Sequence, residues 1–548
     1  MATNSKFTRE QITTGNKAYS QSRTTIETAF YGNNVEKVTS LPEAYEMAKA
    51  SAGTIALDLP VYEPEKIGLP KDAQILLFND GETVGRFAGA RIILGEPDIA
   101  EGEIAGLLRE AVYNTRYKKM LHAEAYIGLD TDFMVKANLL VPETYENTLY
   151  NWLMNFQYKN EFYDAMYAKS KIVGDEPDIY VLSDPDWRDD RYPNGLAYFD
   201  PEHNCAALLG LRYFGEHKKG TLTLAWSIAN RNGYASCHGG MKRIVRKDGK
   251  KHVLAVFGLS GSGKSTLTHA KHDGKYDVTV LHDDAYIISM ENGSSVALEP
   301  SYFDKTQDYP LTSKDNKFLI TMQNVGATVD AEGKLVPVTE DIRNGNGRAI
   351  KSKLWAANRV DKLEEPVDSI VWLMKDSTLP PVLKLNNPVL ASVMGACLAT
   401  KRTTAEKILK GVDRNALVFE PYANPFRTYA LGQDYGKFKA LFEERGVACY
   451  IINTGFFLDK KIPKETTIGI VESIVEDRAE FVPFGSFDGM EYMAVEGFEP
   501  PLADEAYQAL LIRSVESRIN YLESLREYKG GKDLLPDEAF DALKNLLK

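Results

Sequence analysis

The stretch Gly258-Leu259-Ser260-Gly261-Ser262-Gly263-Lys264-Ser265-Thr266 carries the first recognisable chemistry in this chain. Backbone amides turn inward around a polyphosphate only where no side chain obstructs them, and Gly258, Gly261 and Gly263 meet that need. Lys264 brings a flexible cation to the outer phosphates, and the Ser265 hydroxyl is suited to a magnesium ion. A helix starting near Lys264 adds the partial positive charge of its N-terminus. The bland reading is a glycine turn that happens to precede Lys-Ser. It leaves the apolar strand before the loop and the helical pattern after it unexplained. Downstream, Asp283-Asp284 follow the apolar stretch Val278 to Leu281. A carboxylate at a strand end beside a phosphate loop suits a divalent cation, directly or through water. An isolated aspartate pair would be ordinary surface. Together these residues predict nucleotide-dependent, metal-dependent phosphoryl transfer.

Such a loop needs a scaffold. His252 to Leu259 reads as an apolar strand feeding it, and Lys242 to Lys251, with Asp248-Gly249, as a turn between strands. Further strands are expected at Ala206 to Leu211, Leu222 to Ile228, Val278 to Leu281, Ser369 to Met374 and Ala448 to Ile452. Helices are expected at Tyr145 to Tyr158, Tyr435 to Arg445, Thr467 to Glu476 and Asp504 to Leu525. The first of these is anchored by Leu149, Trp152, Leu153 and Phe156. Strands and helices mix throughout, which predicts a mixed α/β class in two lobes. With 548 residues the chain exceeds one ordinary core. The expected division is a substrate-side α/β domain over 1–240 and a nucleotide- and metal-binding domain over 241–548.

Composition bounds the partners. Hydrophobic residues make up 44% and charged residues 26%, as in soluble globular proteins. A net charge of −12 speaks against a nucleic-acid binder or motor. No apolar run is long enough for a bilayer, and the polar start Met1 to Arg9 does not read as a secretory signal. Cys205, Cys237, Cys397 and Cys449 lack paired metal-ligand spacing and are expected as reduced thiols in the cytoplasm. Oligomeric state is left open.

Phe257 to Leu267, FGLSGSGKSTL, closely resembles the kinase loop of ATP-dependent phosphoenolpyruvate carboxykinases, FGLSGTGKTTL. Other motifs follow in the same order. Tyr213 to Gly220 looks like the family's YxGExKKG, Ser236-Cys237-His238 its S-M-H, and Leu281 to Asp284 its aspartate pair. Leu298-Glu299 to Lys305 is similar to FEGGxYAK, Thr339 to Arg343 to TENTR, Leu379 to Val382 to LPPV, and Asn453-Thr454-Gly455 to the NTG before the adenine loop. Matches run from about Phe87 to Val471. The resemblance implies a two-domain α/β fold with a phosphate-loop domain and the active site in the interdomain cleft. It implies a transition metal, manganese, held by Lys219, His238 and Asp284, and magnesium on the nucleotide at Ser265. A Lys-Lys pair is usually solvated surface and a lone histidine usually packed, so these roles rest on motif context. Only one of Lys218 and Lys219 is expected to face the site, on the premise that they lie on a strand.

The resemblance also puts the loop 258–266, Glu299, Lys461 and Thr466 or Thr467 on ATP or ADP. Tyr213, Lys219 and Arg343 fall on the organic acid, with Arg348 offering a second register for the same arginine motif. An arginine there binds carboxylate or phosphate through its planar fork and stabilises spread charge. Lys219, Lys264 and Arg343 are the implied catalytic groups. The implied reaction converts oxaloacetate and ATP to phosphoenolpyruvate, ADP and CO2.

This chain departs from the family at the acid-binding segment TGRSPKDK, where Gly85 to Ile92 reads GRFAGARI. The expected arginine falls at Ala90, with Arg91 and Arg86 as substitutes. After the metal histidine, CSAN is replaced by Gly239-Gly240-Met241-Lys242, and His282 and Ala285 flank the aspartate pair where the family has glycine and glutamate. Two alternatives therefore stand beside the carboxykinase: a kinase of the same fold that phosphorylates a different small molecule, and a nucleotide-binding sensor without chemistry. Phosphate loops alone do not read the base, so GTP or pyrophosphate stand as alternatives to ATP.

Overall fold

The computed structural model describes residues 1–79, 85–96, 100–259, 261–308, 310–340, 347–401 and 416–548. Ser260 and Arg343 lie outside the described residues. The chain forms two compact units, and neither is one continuous length. The first comprises 1–228 and 298–357, and the second comprises 229–297, 358–401 and 416–548 among the described residues. A boundary at 240/241 would fall inside the strand Tyr234–Val245.

In the first unit the larger sheet runs Val35–Lys37, Met120–Asp130, Phe133–Pro142, Ile179–Asp184, Cys205–Leu209, Leu196–Asp200, Arg91–Ile93. Its core packs Ile26, Leu107, Leu108, Leu140, Leu182 and Leu209, among others. A second sheet orders Tyr302–Lys305, Arg348–Lys351, Leu319–Gln323, Gln74–Phe78, Ile55–Pro60. Its strands come from distant parts of the chain. Gln74–Phe78 pairs in parallel with Leu319–Gln323, with Leu76 opposite Thr321 and Phe78 opposite Gln323.

Two sequence expectations fail in this unit, for related reasons. Leu222 to Ile228 is not a strand but the second half of the helix Phe214–Arg231. Its Thr221-Leu222-Thr223-Leu224 alternation mimics period two, yet all four side chains are fully buried. With every face covered, no amphipathic stripe betrays the helix. Lys218 and Lys219 are consequently helical neighbours, about 100° apart rather than on opposite faces. The helix Glu146–Asn155 is also buried nearly all round, and it stops before Phe156, whose backbone is extended.

The second unit is built on an eleven-stranded mixed sheet. Lys251–Phe257, Ser369–Met374 and Ala448–Asn453 run parallel at its centre. Runs such as Val253-Leu254-Ala255-Val256-Phe257 are apolar on both faces because both faces are covered. The helix Lys464–Val475 packs Ile470, Val471 and Ile474 against Leu254, Val256, Val371 and Ile452. On the opposite face, Trp372 meets Phe257, Tyr422 and Phe438 with ring centroids 4.9, 5.6 and 5.3 Å apart. All four cysteines are buried and form no disulfide. Among the described residues no helix is long and apolar enough to cross a membrane.

Candidate nucleotide and metal site

The three parallel strands end together, and the loops leaving them form the site in the second unit. In parallel sheets, the carboxyl ends of strands are where ligands bind. Residues 258–263 follow Phe257 and lead into the short helix Lys264–Thr268. Gly261 and Gly263 have φ of 79° and 89°, a conformation that costs side-chain-bearing residues strain. Gly258 is needed for room: a Cβ there would lie 2.3 Å from Ser262 Oγ and 3.0 Å from Leu373 Cβ on the neighbouring strand. Leu259 and Ser262 are buried, while Gly261, Ser265 and Thr266 are exposed. Thr454, after the third strand, approaches Gly263 from the other side.

Lys264 is 7% exposed and its Nζ lies 3.2 Å from Asp284 Oδ1. The same oxygen lies 3.0 Å from His238 Nε2. One carboxylate thus receives both the phosphate-loop lysine and the histidine. The sheet explains how. The long strand Tyr234–Val245 pairs first with Ala285–Ser289 and then with Asp277–His282, so Asp283 and Asp284 fall at the break between the two partners. A register irregularity between Met241 and Lys242 accompanies the break, and Gly239 N donates to Asp284 O at 3.0 Å. His282, which replaces a glycine of the family pattern, shapes this turn: its Nδ1 accepts from the amides of Asp284 at 3.1 Å and Ala285 at 3.3 Å. Asp283 is buried, with Oδ2 3.4 Å from His269 Nε2. Burial opposes its ionisation, but the His269 contact and the nearby charge of Lys264 outweigh that and hold the carboxyl far below its usual range.

His238 Nδ1 bonds the carbonyl oxygen of Ala423 and Nε2 bonds the Asp284 carboxylate; both partners only accept, so both ring nitrogens donate in this arrangement, and Nε2 would give up its proton to hold a metal. A ring fixed from behind by a carbonyl is the usual arrangement of a metal-binding histidine. An imidazole beside a carboxylate is a donor pair suited to a divalent transition metal, whereas magnesium takes oxygen ligands. Among the described residues no three His, Cys, Asp or Glu side chains cluster as a metal cage. His238 and Asp284 lie together in the second unit, and Lys219 belongs to the first unit.

Beneath the loop lies a support that sequence reading missed. Gly240 allows the strand and the phosphate-loop helix to touch: a Cβ on Gly240 would lie 1.9 Å from Thr268 Oγ1. Thr268 Oγ1 in turn donates to Lys264 O at 2.9 Å. Lys242, fully buried, donates to Leu267 O at 2.6 Å and meets His272 Nε2 at 2.9 Å. Burial lowers its ammonium to about 7, with Glu472 opposing. Gly240 and Lys242, which stand where the family pattern has CSAN, thus pack and hydrogen-bond beneath the loop. The available signal was glycine inside a strand, which marks close backbone approach.

The NTG segment is held by Asn453, whose Nδ2 donates to Asp376 O, Leu379 O and Phe456 O at 2.8–2.9 Å. Its Oδ1 accepts from Gly455 N at 3.0 Å. Lys461 is exposed on the short hairpin strand Lys460–Lys461, and Thr466 is half-buried in the first turn of the helix Lys464–Val475.

The remaining predicted residues lie in the first unit. Tyr213 folds its ring over Gly215, where a Cβ would meet ring carbons at 2.3 Å. Lys219 Nζ stands 5.5 Å from the centre of the Trp226 ring. Glu299 is fully buried and accepts from Lys218 Nζ at 2.9 Å and Asn155 Nδ2 at 2.6 Å. Arg91 gives Nε to Glu216 Oε1 at 2.9 Å and Nη1 to Thr223 Oγ1 at 3.0 Å, over the Phe199 ring. Its guanidinium thereby pins the start of the helix Phe214–Arg231. Arg86 is 9% exposed, and Arg348 is 3% exposed on the strand Arg348–Lys351.

Residues 90–497 match the family described as phosphoenolpyruvate carboxykinase, in its ATP-dependent branch. The phosphoenolpyruvate carboxykinase (ATP) of Aeropyrum pernix is 28% identical over 289 residues, covering 51% of this chain and 57% of the relative. That of Alkaliphilus oremlandii is 24% identical over 258 residues, 42% of this chain and 46% of the relative. The matched stretch spans about half the length of these curated relatives.

Proposed function

Because the chain belongs to the ATP-dependent phosphoenolpyruvate carboxykinase family, as a divergent member, we propose that it converts oxaloacetate and ATP to phosphoenolpyruvate, ADP and CO2. The observation that carries this reading is the convergence of Lys264 and His238 on the single carboxylate Asp284 at the mouth of the phosphate loop. The amides of 258–263 bind the polyphosphate, and Lys264 moves from Asp284 to the outer phosphates as nucleotide arrives. Ser265 lies exposed beside them for the nucleotide's magnesium. His238 Nε2 and Asp284 would hold manganese, with Lys219 added by the family pattern alone. A divalent cation there would withdraw electron density from the oxygens bound to it and screen phosphoryl charge.

On the acid, the bond to the departing carboxylate breaks, CO2 leaves and its electron pair forms the enolate. The enolate oxygen then attacks the terminal phosphorus, and the bond to the ADP oxygen breaks. Tyr213 and the arginines at 343 and 348 are the family-derived partners of the acid, and cationic groups there stabilise the developing charge. Lys461 and Thr466 are carried for the adenine end of the nucleotide, and Glu299 acts through Lys218. The substrates in this reading are small molecules, and a cytoplasmic setting is compatible with them.

One observation favours a second reading. Arg91 is committed to Glu216 and Thr223, and Ala90 occupies the expected arginine position, so the acid pocket differs from the family pattern. A kinase of the same fold acting on another small acid fits this difference.

The deciding assay supplies phosphoenolpyruvate, bicarbonate, ADP, magnesium and manganese, coupling oxaloacetate to NADH oxidation through malate dehydrogenase. Manganese-dependent turnover that falls about 10²–10³-fold in Lys264→Ala and His238→Ala supports the carboxykinase. ADP binding without turnover on any nucleotide overturns it and sends the search to other acids.

A further inference from the structure

The strand Tyr234–Val245 carries His238 beside Asp284 and, four residues on, sends the Lys242 side chain beneath the phosphate loop. Lys242 is fully buried, and its ammonium has three acceptors for three protons. They are Leu267 O at 2.6 Å, Ala270 O at 3.5 Å and His272 Nε2 at 2.9 Å. His272 Nδ1 lies 3.0 Å from Glu472 Oε1 and donates to that carboxylate, so Nε2 has only its lone pair to offer. Glu472, on the helix Lys464–Val475, also takes the ammonium of Lys275. The counter-charge of Lys242 is thus held one imidazole away. Among the described residues, the other charges nearby are directed elsewhere. The flanking strands place Leu254 and Val280 opposite Lys242. Lys264 and His269 face Asp284 and Asp283, and Lys271, Asp273 and Lys275 are exposed. Tyr276 stacks edge-on against His272 and bonds Glu476.

The last carbonyls of a helix lack partners within it, and Leu267 O is one of them. The loop helix Lys264–Thr268 is so short that the carbonyl held by Lys242 lies about one turn from Lys264 and Ser265. With Gly240 against Thr268, Lys242 is the second point at which the strand grips that helix. An ammonium satisfies all three acceptors. A neutral amine has two protons and a lone pair, so one of the three acceptors would face that lone pair. Loss of a single proton therefore loosens the end of the helix that carries the phosphate-binding lysine. Burial brings that proton within reach of neutral pH, at about 7, with Glu472 opposing. Burial, and then the charge of Lys242, also lower His272, so the imidazole does not take the proton in its place.

We propose that Lys242 is a positioning residue that couples nucleotide binding at the phosphate loop to a proton: the ammonium clasps the loop helix, the neutral amine releases it, and nucleotide binds the clasped form more tightly. The polyphosphate brings negative charge to the other end of the same short helix, which favours the ammonium further. Linkage is reciprocal, so ADP draws a proton onto Lys242 by the factor with which that proton tightens ADP. The sign follows. Affinity is full below the value of the free protein and declines as pH rises through it, until the proton is lost from the complex as well. The inference rests on the loop binding a nucleotide, and not on which acid is the substrate.

Magnesium-saturated ADP is titrated calorimetrically into the full chain at pH values of about 6.5, 7.5 and 8.5, in buffers of different ionisation heat, which counts the protons taken up. The wild type should bind at least about fivefold more weakly at the highest pH than at the lowest. Near the middle pH it should take up roughly half a proton per ADP, the uptake that a coupling of about tenfold gives. Lys242→Met keeps the aliphatic body and removes the buried charge. It should bind at every pH with the weak affinity of the high-pH wild type, and without that uptake. Lys242→Arg cannot lose its proton and should hold the low-pH affinity throughout. If the larger arginine does not fit the site, the wild-type proton count and Lys242→Met decide. No uptake in the wild type, or the same uptake in Lys242→Met, overturns the proposal. A lower melting temperature in Lys242→Met with wild-type affinity and uptake shows a structural role only and also overturns it. Uptake lost in the variant, with no carboxykinase turnover in the wild type, defeats the reaction proposed above and leaves the coupling standing. No ADP binding at any pH overturns both.

Discussion

Gly240→Ala tests whether the phosphate loop depends on a contact one layer below it. The added methyl carbon would lie 1.9 Å from Thr268 Oγ1, 3.0 Å from its Cβ and 3.2 Å from its Cγ2. Thr268 cannot simply swing away, because it is fully buried and its hydroxyl is bonded to Lys264 O. Either the threonine abandons that bond, or the helix Lys264–Thr268 lifts from the strand Tyr234–Val245. Overpacking of this kind costs about 1–3 kcal/mol, and losing the hydroxyl bond about 1 kcal/mol. Lifting the helix also moves Lys264 relative to Asp284, so weaker ADP binding is expected alongside lower stability. A double-mutant cycle with Thr268→Ala isolates the clash, because that change removes the two atoms at 1.9 and 3.2 Å. Urea denaturation of the four proteins should show the pair more stable than the sum of singles by about 1–2 kcal/mol. Additive effects within about 0.5 kcal/mol, or Gly240→Ala with wild-type stability and ADP affinity, would refute the close-approach argument.

Other perturbations probe separate parts. Asp434 is 1% exposed, and burial raises its carboxyl from 3.8 to about 6 despite Arg427 and Lys437. The folded state therefore binds the extra proton, and stability falls as pH rises from about 4 through about 6, by up to ~3 kcal/mol. Asp434→Asn should flatten that part of the profile, seen as a variant-minus-wild-type difference in urea midpoint that rises from pH 4 to 7; a constant difference counts against it. Asn453→Ala leaves three carbonyls and one amide without their side-chain partner and should cost roughly 2–4 kcal/mol at about 1 kcal/mol per bond. A loss under about 0.5 kcal/mol would mean water replaces the amide.

Sequence and structure agree where one pattern dominates. The strands Ser369–Met374 and Ala448–Asn453 are short apolar runs between turn residues, and each falls within a residue of its expected bounds. The phosphate loop is legible because glycine, lysine and hydroxyl occur in one continuous stretch. What stays hidden is whatever requires two distant stretches at once. No local signal tells that Asp284 serves both Lys264 and His238, since their meeting depends on how two strands share a third. The helix Phe214–Arg231 is missed because burial on all sides erases the polar face that periodicity needs. Arg91 looked like a substrate arginine by position, and only the location of Glu216 on that helix reveals its structural engagement.

The threading of the first unit has a consequence for its birth on the ribosome. Gln74–Phe78 finds its parallel neighbour only at Leu319–Gln323, some 245 residues later. At about 5–20 residues per second, that strand edge waits roughly 12–50 s for its partner. During that interval only Lys251–Phe257 of the second unit's three central parallel strands emerges, while Ile75, Leu76 and Leu77, fully or almost fully buried in the finished fold, lack the Leu319–Gln323 strand beside them. A nascent chain stalled near residue 300 would thus display an unpaired apolar edge, the kind of surface that chaperones bind and that aggregates nucleate on.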